Sequence, residues 1–490
     1  VKRAVVVGAG LGGLAAALRL RALGHEVTVI ERGQQAGGRG AVFERDGFRH
    51  DAGPTVITAP FLLEELFEIH GERLADHVTL VPLTPWYRFR FPDGCQFDYG
   101  GTLEETLAEI RRLSPQDGEG YLALLEQSRR IYDVGFSQLA SVPFHRFTMM
   151  VQQLPALLRL GAWRSVWQMV CRHLRDDRLR QAFSIQPLLV GGNPFSTTSV
   201  YSLIHYLERA HGVHFAMGGT GRIVTALVEL ARRHGVGFRF GATVDEILVE
   251  SGRATGVALA DGTRVGADIV VSNADAPYLH RHMLGRSGSG LLARLKLRRA
   301  RYSMGLFVLY FGTTRQYPDV AHHTIWLGKR YEALLRDIFE GSSLPPDFSL
   351  YVHRPTATDP SFAPQGCDSF YVLCPVPNLQ SAIDWTAEGP VLAQRIVKAL
   401  SGSMLPGLED CITAQFHRTP LEFRRDYLSE HGAGFSVAPL LSQSAWFRFH
   451  NKAEGVRNLF LVGAGTHPGA GLPGVLCSAK VVESLLGEQQ

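Results

Sequence analysis

The stretch Arg3-Ala4-Val5-Val6-Val7-Gly8-Ala9-Gly10-Leu11-Gly12-Gly13 decides the reading of this chain. A β-rich run leads straight into a glycine turn. Behind the turn, Leu14–Leu23 has helical composition and Gly24 supplies a stop. A second strand, Val27–Glu31, completes a βαβ opening. In Gly8-x-Gly10-x-x-Gly13 the first glycine makes the turn and the second lets the backbone approach a pyrophosphate. The third lets helix and strand pack closely, and the helix N-terminus attracts the anion. Glu31 follows Gly13 by eighteen residues, where a carboxylate accepts hydrogen bonds from a ribose diol.

Further along, Gly218–Gly221 is a second glycine turn, followed by a helix at Ile223–His234. A third glycine-rich run lies between the strand Leu459–Val462 and the helix Val475–Leu486. Turns at the beginning, middle and end predict one dinucleotide-binding domain assembled from distant pieces, 1–75, 214–290 and 441–490. Residues 76–133 and 291–440 are assigned to a substrate domain, with strands at Arg301–Phe311, Phe348–His353 and Ser369–Pro375. Residues 134–213 form a helical lid. Phe238–Phe240, Val244–Glu250, Thr255–Ala260 and Ile269–Val271 read as one meander-like group. The fold class is therefore α/β: a Rossmann-like domain of discontinuous segments, a sheet-based substrate domain and a helical membrane-facing subdomain.

The 490 residues suffice for a large core without staples. Six scattered cysteines form no CxxC and stand at no metal-ligand spacing to histidine, so neither a metal site nor a disulfide framework is expected. A mean hydropathy of +0.01 excludes a multi-span membrane protein. No leader is read ahead of the first strand, and a cytoplasmic setting is expected. The net charge of +4 is unevenly spread: 134–207 holds seven arginines, no lysine and two acids, leaving −1 on the other 416 residues.

Gly37-Gly38-Arg39 follows the second strand closely, and a nicotinamide site has no use for it. GxGxxG, then Glu31 with Arg32, then Gly-Gly-Arg resembles the FAD-containing amine oxidase and phytoene desaturase superfamily. Asn458-Leu-Phe-Leu-Val-Gly463-Ala-Gly465-Thr466-His467-Pro468-Gly469-Ala-Gly471-Leu472, with Ser478 beyond, is similar to the signature of bacterial-type phytoene desaturases. Asp51–Thr58, Leu189–Phe195, Gly218–Gly221 and Ala321–Thr324 extend the resemblance over nearly the whole chain. It implies noncovalent FAD held by Gly8, Gly10, Gly12, Gly13, Glu31, Arg32, Gly38, Arg39, Val244, Gly463, Gly465, Gly474 and Val475. Cys477 does not match the attachment motif of the amine oxidases. Pro473-Gly474 starts a helix whose N–H groups can face the flavin and stabilise its reduced form.

The implied substrate is a carotenoid hydrocarbon such as phytoene, and the implied chemistry is hydride transfer to flavin N5 followed by proton loss. Oxygen or a quinone would reoxidise the flavin. An apolar tunnel is expected from Tyr302–Phe311 and Ser369–Val376. His467 is the candidate for assisting proton loss or for orienting its loop, and Asp51 reads as a cap for the turn behind it.

Trp163, Trp167, Val170 and Leu174 follow i, i+4, i+7, i+11 and share a helical face, with Arg164, Arg172 and Arg175 on the side away from it. This pattern suits a helix lying on the inner surface of the cell membrane, with Pro155 and Gly161 interrupting the helix upstream. A buried lid helix or a subunit interface is the alternative. Other readings are a later carotenoid desaturase or oxidase, a lipid escort like the GDP dissociation inhibitors, or an amine oxidase lacking an evident aromatic cage. The basic stretch is too apolar for nucleic acid.

Overall fold

Val5, Val6 and Val7 are buried because Arg3–Val7 is the central strand of a five-stranded parallel sheet. The order is Leu459–Leu461, Ile269–Ser272, Arg3–Val7, Glu26–Ile30, Gly237–Arg239. In this computed structural model, which describes residues 1–487, the last three residues of the dinucleotide segment lie outside the description. Side chains alternate across the sheet. Val6, Val29, Val271 and Phe460 join the core under the helices Leu11–Ala22, Thr220–Arg233 and Leu472–Gly487. Val5, Val7, Ile30, Val270 and Leu461 point to the opposite face, against Ile247 and Val257 of a separate sheet.

That sheet corrects the meander. Only Val244–Glu250, Arg253–Leu259 and Arg264–Gly266 form the antiparallel unit. Gly237–Arg239 and Ile269–Ser272, their neighbours in sequence, are strands of the parallel sheet instead. All four residues of Ile269–Ser272 are buried, as a strand covered on both faces requires.

The second large sheet has seven strands, ordered Ile412–Arg418, Gly305–Thr313, Asp368–Val376, Leu350–His353, His323–Trp326, Tyr87–Arg90, Gln96–Tyr99. All pairs are antiparallel except His323–Trp326 with Tyr87–Arg90. Phe307, Leu309, Phe311, Phe370 and Val372 face the helix Trp385–Ser401. Met304, Leu306, Tyr310 and Tyr371 face the other way.

The helix Asp117–Gly135 packs against Leu203–His211. The run read as helical breaks into Phe147–Arg159, Val166–His173 and Asp177–Ala182. Gly161, at φ +76°, lies just past the end of the first helix. Pro155 does not interrupt it: the helix runs through, and the carbonyl freed at Val151 lies on an exposed stretch. Among the described residues no helix is long and apolar enough to cross a membrane.

Candidate active site

The first helix starts at Leu11 with Gly10 as its cap and no side chain over its free N–H groups. Gly8, Gly10 and Gly12 line a cavity of about 590 Å³ at this point. Gly13 does not line it: a Cβ there would lie 2.0 Å from the Gly8 carbonyl oxygen, so this glycine sets the helix–strand contact. Glu31 accepts hydrogen bonds from the N–H groups of Ala9 and Gly33, both at 2.7 Å, which holds its carboxylate beside the turn. Arg32 lines the same cavity and donates to the Arg425 carbonyl at 3.0 Å. Gly38, Arg39, Val244, Gly463, Gly465, Gly474 and Val475 complete the wall. Twelve of the thirteen expected cofactor residues thus meet in one place.

Arg39 is half-buried in this wall, and desolvation lowers its pKa. One guanidinium nitrogen donates to Ser429 Oγ at 3.2 Å, but Nε has no partner. A cation with an unused, inaccessible donor, in the same cavity wall as bare helix N–H groups, fits a pyrophosphate. FAD therefore fits the residues present.

Three supporting residues had no motif to announce them. Asn273 sits where the glycine turns converge: a Cβ on Gly10, Gly12 or Gly463 would come within 2.7, 2.6 and 2.9 Å of its amide. Arg448 is fully buried and donates to the carbonyls of Val437, Gln443, Ala464 and Thr466. Asn451 Nδ2 donates to the carbonyls of Leu461 and His467. Together they pin the C-terminal glycine loop. Asp51 is also corrected: it accepts from Thr220 N–H at 3.0 Å, capping a helix far along the chain rather than its own turn. Burial pushes its pKa up to about 7.

Beyond the cradle the same cavity becomes apolar. Met304, Leu306, Tyr371, Leu373 and Pro375 line it from alternate positions of two paired strands. The expected tunnel strands therefore reach the cavity with only two residues of Tyr302–Phe311 and three of Ser369–Val376, and most of the rest is sheet core. Few polar groups interrupt this lining. Thr55 Oγ1 meets Tyr351 OH at 2.6 Å, which meets His323 Nδ1 at 2.7 Å. Tyr87 OH donates to Glu208 Oε1 at 2.8 Å, and Glu208 Oε2 has no partner. Burial raises the Glu208 pKa to about 8. His467 is buried against Phe144, with Nε2 at 3.1 Å from the Leu139 carbonyl, and burial lowers its pKa to about 4.

Among the described residues, His322, His323 and His353 form a group with metal-ligand spacing, their ligand atoms within 4.8 Å of one another. Burial holds all three well below the ordinary histidine range. No carboxylate belongs to the group, and the Arg354 cation acts on His322. This charge pattern works against a dication.

The expected membrane face is corrected. Val170 and Leu174 are buried in the core, and Trp167 packs on Phe195 and Tyr331 at 4.8 and 5.8 Å between ring centres. Trp163 precedes the helix and is 59% exposed, with Arg164 stacked on it at 4.1 Å. Arg172 and Arg175 are exposed. The stripe that is open lies one helix upstream: Phe147, Val151, Leu154 and Leu158 are 45–54% exposed. No residue of that helix is buried, and its Met150 and Leu157 line the cavity.

The flavin containing amine oxidoreductase family matches residues 11–482. The chain is 48% identical over 490 residues to a lycopene-forming phytoene desaturase of Pseudescherichia vulneris, covering 100% of this chain and 99% of the relative. It is 45% identical over 488 residues to a neurosporene-forming phytoene desaturase of Cereibacter sphaeroides, covering 99% and 94%. An oxidoreductase from Methanosarcina mazei shares the fold at a TM-score of 0.68 and 19% identity, covering 98% of this chain and 100% of that one. The chain belongs to the flavin containing amine oxidoreductase family, within its phytoene desaturase group, and is an FAD-dependent oxidoreductase.

Proposed function

We propose that this protein desaturates phytoene, giving lycopene or a partly desaturated carotene. The observation that carries the reading is the continuity of the flavin cradle with an apolar cavity, lined by both Gly463–Val475 residues and strand residues such as Leu306 and Leu373. When bound, FAD supplies the hydride acceptor for a C–H bond that no side chain here can oxidise. The chain's own part is to grip the dinucleotide with Glu31, Arg39 and the glycine turns, and to align a hydrocarbon in a dry channel. The division into 1–75, 214–290 and 441–490, then 76–133 and 291–440, then 134–213, suits this role, with one large sheet in each of the first two parts.

Aerobic incubation with FAD and phytoene in liposomes, followed by pigment chromatography, tests the reading. Coloured polyenes are expected, and turnover of an amine without any polyene would overturn it. The flavin is noncovalent: Cys477 lies in the core, its thiol pushed up to about 11 by burial, and is not part of the cavity wall. Acid denaturation should release all the FAD, and yellow colour left on the washed precipitate would contradict this.

The hydrocarbon enters from a membrane surface on the cytoplasmic side, and oxygen or a quinone takes the electrons. The open face of Phe147–Arg159 supports the membrane reading, because the same helix lines the cavity with Met150 and Leu157. Trp163, Arg164, Arg172 and Arg175 add an exposed aromatic and basic groups nearby. The triple variant Phe147→Asp, Val151→Asp, Leu158→Asp should lose at least about tenfold in liposome binding while keeping its flavin. Unchanged flotation with vesicles would contradict this docking face.

A further inference from the structure

We infer that Glu208 is the proton acceptor of the desaturation. The inference rests on the carotene reading above and names a role for a residue that the flavin cradle leaves unused. Four carboxylates line the cavity among the described residues: Glu31, Glu208, Asp275 and Asp426. Glu31 is occupied at the glycine turn. Asp275 accepts from Ser436 Oγ and from Glu430 N–H. Asp426 pairs with Arg418 and Arg425. Glu208 is fully buried, has one neutral hydrogen bond and keeps Oε2 free. Burying a carboxyl with an unused oxygen beside an apolar channel is costly, and a hydrocarbon offers it no hydrogen bond in return. Such a group is expected where protonation changes during turnover.

In the step assigned to it, bound FAD would first take a hydride, with its bonding pair, from one carbon. The neighbouring C–H then gives its proton to Glu208 Oε2, and that bond's electron pair closes the new C=C. Glu208 ends as the neutral acid and returns its proton to water when product leaves. Tyr87, which donates to Oε1, steadies the charged form before the transfer. The groups around the carboxyl are Tyr87, Tyr99, Tyr121 and the adjacent Arg209, whose guanidinium is held by the Gly101 carbonyl and Thr106 Oγ1. His205, one turn back, is neutral, its pKa lowered by burial to about 4. His467 also has a free ring nitrogen, Nδ1, but Arg448 joins burial in lowering its basicity.

Glu208→Gln keeps the shape and the acceptor for Tyr87, so a purely structural role predicts wild-type turnover. The proton-acceptor role predicts a kcat lower by about 100-fold or more, with flavin content and KM for phytoene unchanged. Its pH profile separates the roles further. Glu208 must be ionised to act, so wild-type kcat should climb about tenfold per pH unit up to its pKa and level off above about 8. That limb should vanish in Glu208→Gln. Tyr87→Phe removes the bond that favours the charged form, so its limb should move to higher pH with the plateau kept. Glu208→Gln turnover within about twofold of wild type with the same limb would overturn the inference. If Glu208→Gln does not fold, an unmoved limb in Tyr87→Phe does so. A wild type that makes no polyene would instead strike at the desaturase reading.

Discussion

Gly13→Val is expected to purify without flavin. A Cβ at this position would lie 2.0 Å from the Gly8 carbonyl oxygen and 3.3 Å from Asn273 Cβ. Backbone oxygen cannot swing aside as a flexible side chain would, so the first helix must shift off the central strand. Overpacking of this kind costs about 3 kcal/mol, which is about a hundredfold in FAD affinity if the whole shift falls on the cradle. The measurement is flavin content after gel filtration, with thermal melting in added FAD as a second readout. Full yellow colour and an unchanged melting point would show that Gly13 does not control the approach of helix and strand.

Arg448→Met should have an effect of similar size from the other end of the chain. The substitution keeps an unbranched apolar stem but leaves the carbonyls of Val437, Gln443, Ala464 and Thr466 without their donors. Unsatisfied buried carbonyls cost on the order of 1–3 kcal/mol each before relaxation, so a loss of about 3 kcal/mol is a conservative expectation. Ala464 and Gly465 lie in the cavity wall, so the loss should appear both as lower stability and as weaker FAD retention. Arg448→Lys keeps the charge but not the fork that reaches four carbonyls, and should fall between the two. A Met variant that holds FAD like wild type would show that Arg448 does not hold the loop in place.

The contrast between Gly13 and Arg448 shows what the sequence makes legible. Gly13 and the Gly463–Gly474 run act through local backbone geometry, and Glu31 and Arg39 stand at short spacings from the first glycine turn, so neighbouring residues announce them. Arg448, Asn451 and Asn273 act by reaching across to loops brought near only by folding. Nothing in their own neighbourhoods marks them. Periodicity has a related limit. The stripe from Trp163 to Leu174 says that one face is covered but not by what, and for Val170 and Leu174 the cover is protein core. The stripe Phe147, Val151, Leu154, Leu158 has the same spacing and remains open. Sequence adjacency groups Ile269–Val271 with the antiparallel strands before it, whereas the strand Ile269–Ser272 pairs with the central strand of the parallel sheet. Glu208 stood out in no motif, because its meaning lies in the unmatched oxygen that only the packed cavity reveals.

On the proposed reading, a hydrocarbon in the apolar cavity lies against the flavin and loses hydrogen to it. Anaerobic mixing of the flavin-loaded protein with phytoene in liposomes tests this most directly, because no oxidant is present to hide the stoichiometry. The yellow flavin absorbance should bleach on mixing, and new carbon–carbon double bonds should appear in equal number to the flavin reduced. Flavin that stays oxidised in the presence of phytoene, in protein that readily bleaches with an amine, would contradict it.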